Sequence, residues 1–199
     1  MTLIFMLLSA VHAAAAPVDD LLSTLASIES LSGRFSQTQF GPDDSDAVQQ
    51  SDGRFRLLKG GYFSWEITSP DRQMIVATPQ YLWHHDLDLE TVTRRPVALS
   101  EELSPLQVLG GDTSYLRDSF TIESAGEGGY RLLPRATDPG FRALTLGFEQ
   151  GQLAWMDIVD RLGQRIQLRF FELDSRAELS AADFDFQPPP GVDLFYYDE

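Results

Sequence analysis

Residues 53–67, GRFRLLKGGYFSWEI, leave the chain few options. Two alternating apolar–polar runs flank Gly60 and Gly61, and a glycine pair between such runs supplies the positive φ angles of a tight hairpin turn. Side chains on a strand point alternately to its two faces, so Phe63, Trp65 and Ile67 share one face while Tyr62, Ser64 and Glu66 share the other. On the preceding strand Phe55 and Leu57 face together, and Lys59 ends that row beside the turn. The hairpin predicts a wide aromatic surface with one cation at its rim. A half-buried antiparallel sheet packed on its own helices would carry the same pattern. Residues 74–86, MIVATPQYLWHHD, read as the next hairpin and add Trp83.

Much of the remaining chain is written the same way. Residues 34–40 alternate, with Phe35 on one face and Phe40 on the other, and residues 91–95 form a short strand. Residues 120–123, 130–134, 143–148, 153–159 and 165–170 follow, separated by glycine-bearing turns. This spacing predicts a mainly β protein with one large, strongly curved antiparallel sheet. A last short strand is expected at 184–186, before an extended exit segment fixed by Pro188, Pro189 and Pro190. Helices are few. Val18, Leu21, Leu22, Leu25, Ile28 and Leu31 fall at helical spacing, Asp19 and Asp20 suit the first turn, and Ser32-Gly33 ends the pattern. Ser104-Pro105 starts a helix of one or two turns, in which Leu106 and Leu109 share a face before Gly110-Gly111 stops it. Residues 112–118 form another short helical turn, and residues 41–52 read as an exposed acidic loop.

The chain has 199 residues, no tandem repeat and no sign of a second domain. A net charge of −15 argues against a nucleic-acid partner and against docking on an anionic membrane by charge. No cysteine is present, which excludes a disulfide framework, a thiol nucleophile and an acylated N-terminal cysteine. Residues 1–16 hold an apolar run followed by an alanine stretch before Pro17, the shape of a secretory signal peptide, although no Lys or Arg precedes the run. The expected division is a signal peptide at 1–16 and one domain at 17–199.

Chemistry-bearing residues are sparse. His84 and His85 are adjacent, so on a strand they point to opposite faces and cannot clamp one metal together. Asp86, Asp88 and Glu90 alternate onto the side of His84; a metal site there is conceivable, and a solvated acidic turn fits as well. No nucleophile triad, phosphate loop or dinucleotide fingerprint occurs. No enzyme activity, metal or cofactor is expected.

Taken in order, Gly53-Arg-Phe, Phe63-Ser-Trp-Glu, Ser69-Pro70, Leu82-Trp83, Asp86-Leu-Asp-Leu-Glu90 with Val92-Thr93, and the run FDFQPPPGV at 184–192 resemble the periplasmic outer-membrane lipoprotein carrier family. The resemblance spans nearly the whole chain after residue 16. It implies an unclosed β-barrel with short helices as a lid over a hydrophobic cavity that holds acyl chains. It also implies a soluble periplasmic monomer. The implied partners are acylated lipoproteins, the inner-membrane transporter that releases them, and an outer-membrane receptor. By the same resemblance Leu25 faces the cavity from the N-terminal lid helix, and Leu106 and Leu109 sit on the inserted lid helix. Phe63, Trp65 and Trp83 match the family's aromatic strand positions and, with Phe35, Phe55, Leu57 and Ile67, make up the expected lining. Where the family carries an Arg-Pro pair whose arginine holds the lid, this chain has Lys59-Gly60, so Lys59 is the expected gate. Two rivals stand beside the carrier: a lipid-binding module of the same fold that transfers nothing, and a metal-dependent lipid hydrolase built on Asp86, Asp88 and Glu90.

Overall fold

A computed structural model describes residues 17–41, 46–97, 107–110, 113–136 and 140–197. Helix α1 (Pro17–Ala26) is followed by β1 (Ser30–Phe40), β2 (Ala47–Leu58), β3 (Tyr62–Ser69), β4 (Gln73–Ala77), β5 (Tyr81–Asp86) and β6 (Thr91–Pro96). Two short helices, α2 (Gln107–Gly110) and α3 (Thr113–Ser119), precede β7 (Phe120–Ser124), β8 (Gly129–Pro134), β9 (Phe141–Glu149), β10 (Gln152–Asp160) and β11 (Arg165–Asp174). A 3-10 turn at Ala181–Phe184 and a final strand, β12 (Asp193–Tyr196), complete the described chain.

All twelve described strands belong to one sheet, ordered β12-β6-β5-β4-β3-β2-β1-β11-β10-β9-β8-β7. The chain makes two antiparallel meanders, and β1 against β11 joins them, with Phe35 opposite Phe170. Among the described strands only β12 runs parallel to its neighbour, β6. Strands β7 and β12 end the sheet without pairing to each other, so the predicted single curved sheet is an unclosed barrel.

The opening hairpin folds as its residues dictate. Gly60 and Gly61 turn at φ 98° and 91°. Leu57 lies opposite Phe63, Phe55 opposite Trp65, and Gly53 opposite Ile67. The face so defined continues around the barrel through Leu31, Phe35, Leu132, Leu144, Leu146, Met156, Leu168 and Phe170, all of them buried. The three helices pack against it. Leu21, Leu22 and Leu25 of α1, Val108 and Leu109 of α2, and Leu116 of α3 are each at most 5% exposed and belong to the same core. One end of α1 is clasped to α3, where Arg117 donates to the Asp19 carboxylate at 2.8 Å.

Three expectations are corrected. Helix α1 stops at Ala26 rather than Ser32, and Leu31 is buried on β1 instead. Pairing of Ser30 with Leu58 and of Leu31 with Leu57 satisfies the backbone better than another helical turn could. The acidic loop at 41–52 is shorter than expected, because β2 begins at Ala47 with its first four residues exposed. Residues 184–186 form no strand: Phe184 closes the 3-10 turn and is buried, with Tyr62 at 5.6 Å and the Arg56 guanidinium at 5.7 Å from its ring. The strand lies later, at β12, where the exit segment returns to pair with β6.

Candidate functional site

The apolar face under the helices is the most distinctive feature of the molecule. Its centre is an aromatic stack. Phe35 and Trp65 lie 3.6 Å apart at 17°, Phe63 lies 6.0 Å from Trp65, and Phe55 leans on both Trp65 at 6.1 Å and Phe170 at 5.4 Å. Phe35, Phe55, Leu57, Phe63 and Trp65 are brought together there as the sequence predicts, and Ile67 packs against them half-buried. Leu25 and Leu109 press on this face from the helices, at 5% and 2% exposure. Leu106 lies outside the described residues.

Trp83 does not join them. The registers run Ser64 to Val76 to Trp83, and Phe63 to Ala77 to Leu82, so Trp83 stands on the opposite face of the sheet. There Phe186 covers it at 5.4 Å and the Arg94 guanidinium sits 5.6 Å from its ring. The two-residue period places Leu82 and His84 on the covered side, and Leu82 packs against the core. Trp83 matches the lining in residue type, but strand parity decides its side.

The second meander belongs to this face too. Leu132, Leu144, Leu146, Met156, Leu168 and Phe170 complete the same face. Their alternation was visible, but which side faced the helices was not. Val108 of α2, 1% exposed, was missed because Leu106 and Leu109 were read as that helix's apolar pair.

Lys59 stands at the rim. Its ammonium donates to the carbonyl of Ala26, the last residue of α1, at 3.2 Å and to the Glu29 carboxylate at 2.6 Å. A helix leaves its final carbonyls without intrahelical partners and its C-terminus partly negative, so a cation there satisfies both. The backbone N–H of Lys59 also donates to the Glu29 carbonyl at 2.9 Å. Both charged side chains are more than half exposed, so the ion pair is worth at most about 1 kcal/mol. Beside it a pocket of about 520 Å³ opens between Leu25, Ile28, Lys59 and Leu109. Beneath that opening Leu21, Leu22, Leu25 and Leu109 of the helices occupy the apolar face, each at most 5% exposed.

The acidic turn after β5 is occupied by its own chemistry. The Asp86 carboxylate accepts the backbone N–H groups of Asp88 and Leu89 at 3.1 and 2.9 Å. Asp88 accepts from the Arg72 backbone and guanidinium, which hold its carboxyl below the usual range. Among the described residues no three His, Asp or Glu side chains are grouped as a metal site. His84 bonds Gln73 at 3.3 Å on the covered side, and His85 is 8% exposed on the other, against Phe186. Burial pushes both imidazoles below the ordinary histidine range, with Asp86 opposing it.

Residues 26–187 match the family model described as "Outer membrane lipoprotein carrier protein LolA". An outer-membrane lipoprotein carrier protein of Methylococcus capsulatus is 37% identical over 184 residues, covering 90% of this chain and 87% of the relative. Its counterpart in Dechloromonas aromatica is 35% identical over 187 residues, covering 92% and 88%. Among solved structures, a conserved protein of Thermus thermophilus superposes with a TM-score of 0.54 at 14% identity, covering 89% of this chain and 99% of that one, which is a likeness of fold.

Proposed function

The chain belongs to the outer-membrane lipoprotein carrier family, and from that premise we propose how it works as a periplasmic lipoprotein chaperone. Acyl chains of the cargo lie against the aromatic face of β1, β2 and β3, in the space that Leu25 and Leu109 fill in the closed molecule. The observation that carries this reading is the apolar face itself, covered by three helices of ten, four and seven residues. Burying each methylene is worth roughly 0.8 kcal/mol, so an acylated protein does not cross water unaided. A cover of short helices exchanges its own leucines for the chains at little net cost in apolar burial. Lys59 acts as the gate: it holds the end of α1 by one carbonyl, and it lets go when the helix lifts.

The remaining elements of the reading follow from the family. Residues 1–16 act as an export signal and are removed. The mature protein is a periplasmic monomer that receives lipoprotein from an inner-membrane transporter and delivers it to an outer-membrane receptor. Among the described residues no helix is long and apolar enough to cross a membrane. Carriage needs no catalysis, and the family is named for carriage.

Native mass spectrometry of the protein purified from periplasm tests this reading. Co-purified acylated lipoprotein is the expected result. A protein that comes out empty, and that also fails to bind a fluorescent fatty-acid analogue, would overturn it.

A further inference from the structure

The rim that α1 crosses is open on both sides of the helix. On one side is the pocket beside Lys59. On the other, a groove of about 660 Å³ runs between Thr24 of α1 and the turns that join β7 to β8 and β9 to β10. Its floor is Tyr130 and Phe148, whose rings meet edge to face at 5.9 Å and 77°. Both extend the covered face: Tyr130 lies opposite Leu146, Phe148 opposite Leu153, and both pack on the core. The walls are fixed. The Phe148 N–H donates to the Gly128 carbonyl at 2.8 Å, and Gly128 lies so close to the Phe148 backbone that no side chain fits there. Glu127 and Glu149 stand exposed at the edge.

The two openings differ in chemistry. The first is lined by Leu25, Ile28 and Leu109, the glycine main chain of Gly60, Gly61 and Gly110, and the Lys59 ammonium, with no ring face and no carboxylate among its lining residues. The second offers ring faces, the main chain of two glycine-bearing turns and two carboxylates. A saturated acyl chain gains nothing from carboxylates. An extended peptide gains from all three, and a peptide bearing basic residues gains most. A cargo made of apolar chains joined to a polypeptide must cover the chains and keep the polypeptide in water, at adjacent places on one rim.

We propose that the groove floored by Tyr130 and Phe148 is the seat of the cargo's peptide neck, the segment next to its acylated residue, and that Glu127 and Glu149 favour basic necks there. This rests on the carrier reading above. It adds a second contact, which the acyl chains do not make.

The test compares a tripalmitoylated cysteinyl peptide with a short lysine tail against one with a glutamate tail of equal length, each titrated into the full chain at low ionic strength. The lysine-tailed probe is expected to bind about tenfold more tightly, and added salt should shrink the ratio. Because the protein is acidic overall, net charge must be separated from the groove. In Glu127→Gln/Glu149→Gln the ratio should fall towards parity, whereas in Asp46→Asn/Asp193→Asn, at the opposite end of the sheet, it should persist. An unchanged ratio in the first pair, or an equal fall in both, overturns the groove assignment while acyl binding stands. Failure of both probes to bind overturns the carrier reading, and this inference with it.

Discussion

Phe35 and Trp65 stack at 3.6 Å although β2 runs between their strands. The contact exists because β2 presents Gly53 at that point: Phe35 pairs with Gly53, and Gly53 pairs with Ile67. A Cβ at Gly53 would run into the Phe35 ring and the Glu66 carbonyl. Phe35 therefore lies across the glycine to reach the indole.

Gly53→Ala should accordingly cost about 2–3 kcal/mol, since neither a stacked ring nor a sheet carbonyl can give way cheaply. Urea unfolding followed by tryptophan fluorescence measures it. A midpoint equal to that of the unmodified protein would refute this account of the stack.

Lys59 holds one carbonyl of α1 and shares its charge with Glu29. Lys59→Leu should raise the entry rate of a fluorescent fatty-acid analogue roughly fivefold, the equivalent of about 1 kcal/mol for an exposed charge-assisted bond. Lys59→Arg should slow entry, because a fork of five donors can hold Ala26 and Glu29 together. Stopped-flow rates identical in both variants would leave Lys59 with no part in the gate.

Leu109→Ala removes a fully buried side chain from a helix of four residues and should cost about 2–4 kcal/mol. The loss should be local, because so short a helix has little else to hold it. Hydrogen exchange should accelerate in α1 and α2 while β9 and β10 keep their protection. Uniform acceleration across the sheet would mean that α2 is part of the global core and not a movable cover.

Acid should loosen the β4–β5–β6 side first. Burial holds His84 and His85 below their ordinary range, so the folded protein resists protonating them while the unfolded chain does not. The unfolded state then binds more protons, and stability rises with pH. The contribution is complete above the ordinary histidine value near 6.5 and is lost as pH falls through it towards the depressed folded-state values. Equilibrium unfolding at pH 7.5 and at about pH 5 should show this loss. His84→Gln/His85→Gln should flatten it, and an unaltered pH slope in that double variant would contradict the assignment.

Trp83 packs on Phe186 outside the covered face. Trp83→Ala should lower stability by about 2–4 kcal/mol and leave affinity for the fatty-acid analogue unchanged. A parallel loss of affinity would place Trp83 in the binding surface after all.

How much of this was legible follows a pattern. The hairpin at 53–67 fixed most of the lining residues, because a glycine-pair turn leaves register and parity no freedom. Trp83 was misplaced because parity must be carried through β4, and the loop from Ala77 to Tyr81 resets it in a way no local pattern announces. The end of α1 was misread because Ile28 and Leu31 continue a helical period while pairing of Leu31 with Leu57 overrides it. Strand β12 was invisible, since its residues are all exposed and its partner β6 lies far back in the chain. Phe184 and Phe186 looked like a strand because they alternate, yet they serve as covers for Tyr62 and Trp83.

The seam between β1 and β11 has a consequence for how the molecule forms. Each meander can assemble from neighbouring residues, but Phe35 and Phe170 meet across most of the chain, and contacts of such long range are slow to close. Until they do, the aromatic stack lacks its Phe170 wall, and α1, made first, has no complete bed to lie on. Docking of α1 is therefore expected to follow closure of the seam, an order that pulsed hydrogen exchange during refolding would check. Until the seam closes, the apolar face that the helices cover in the finished molecule is open to water, and exposed apolar surface of that kind promotes association between chains.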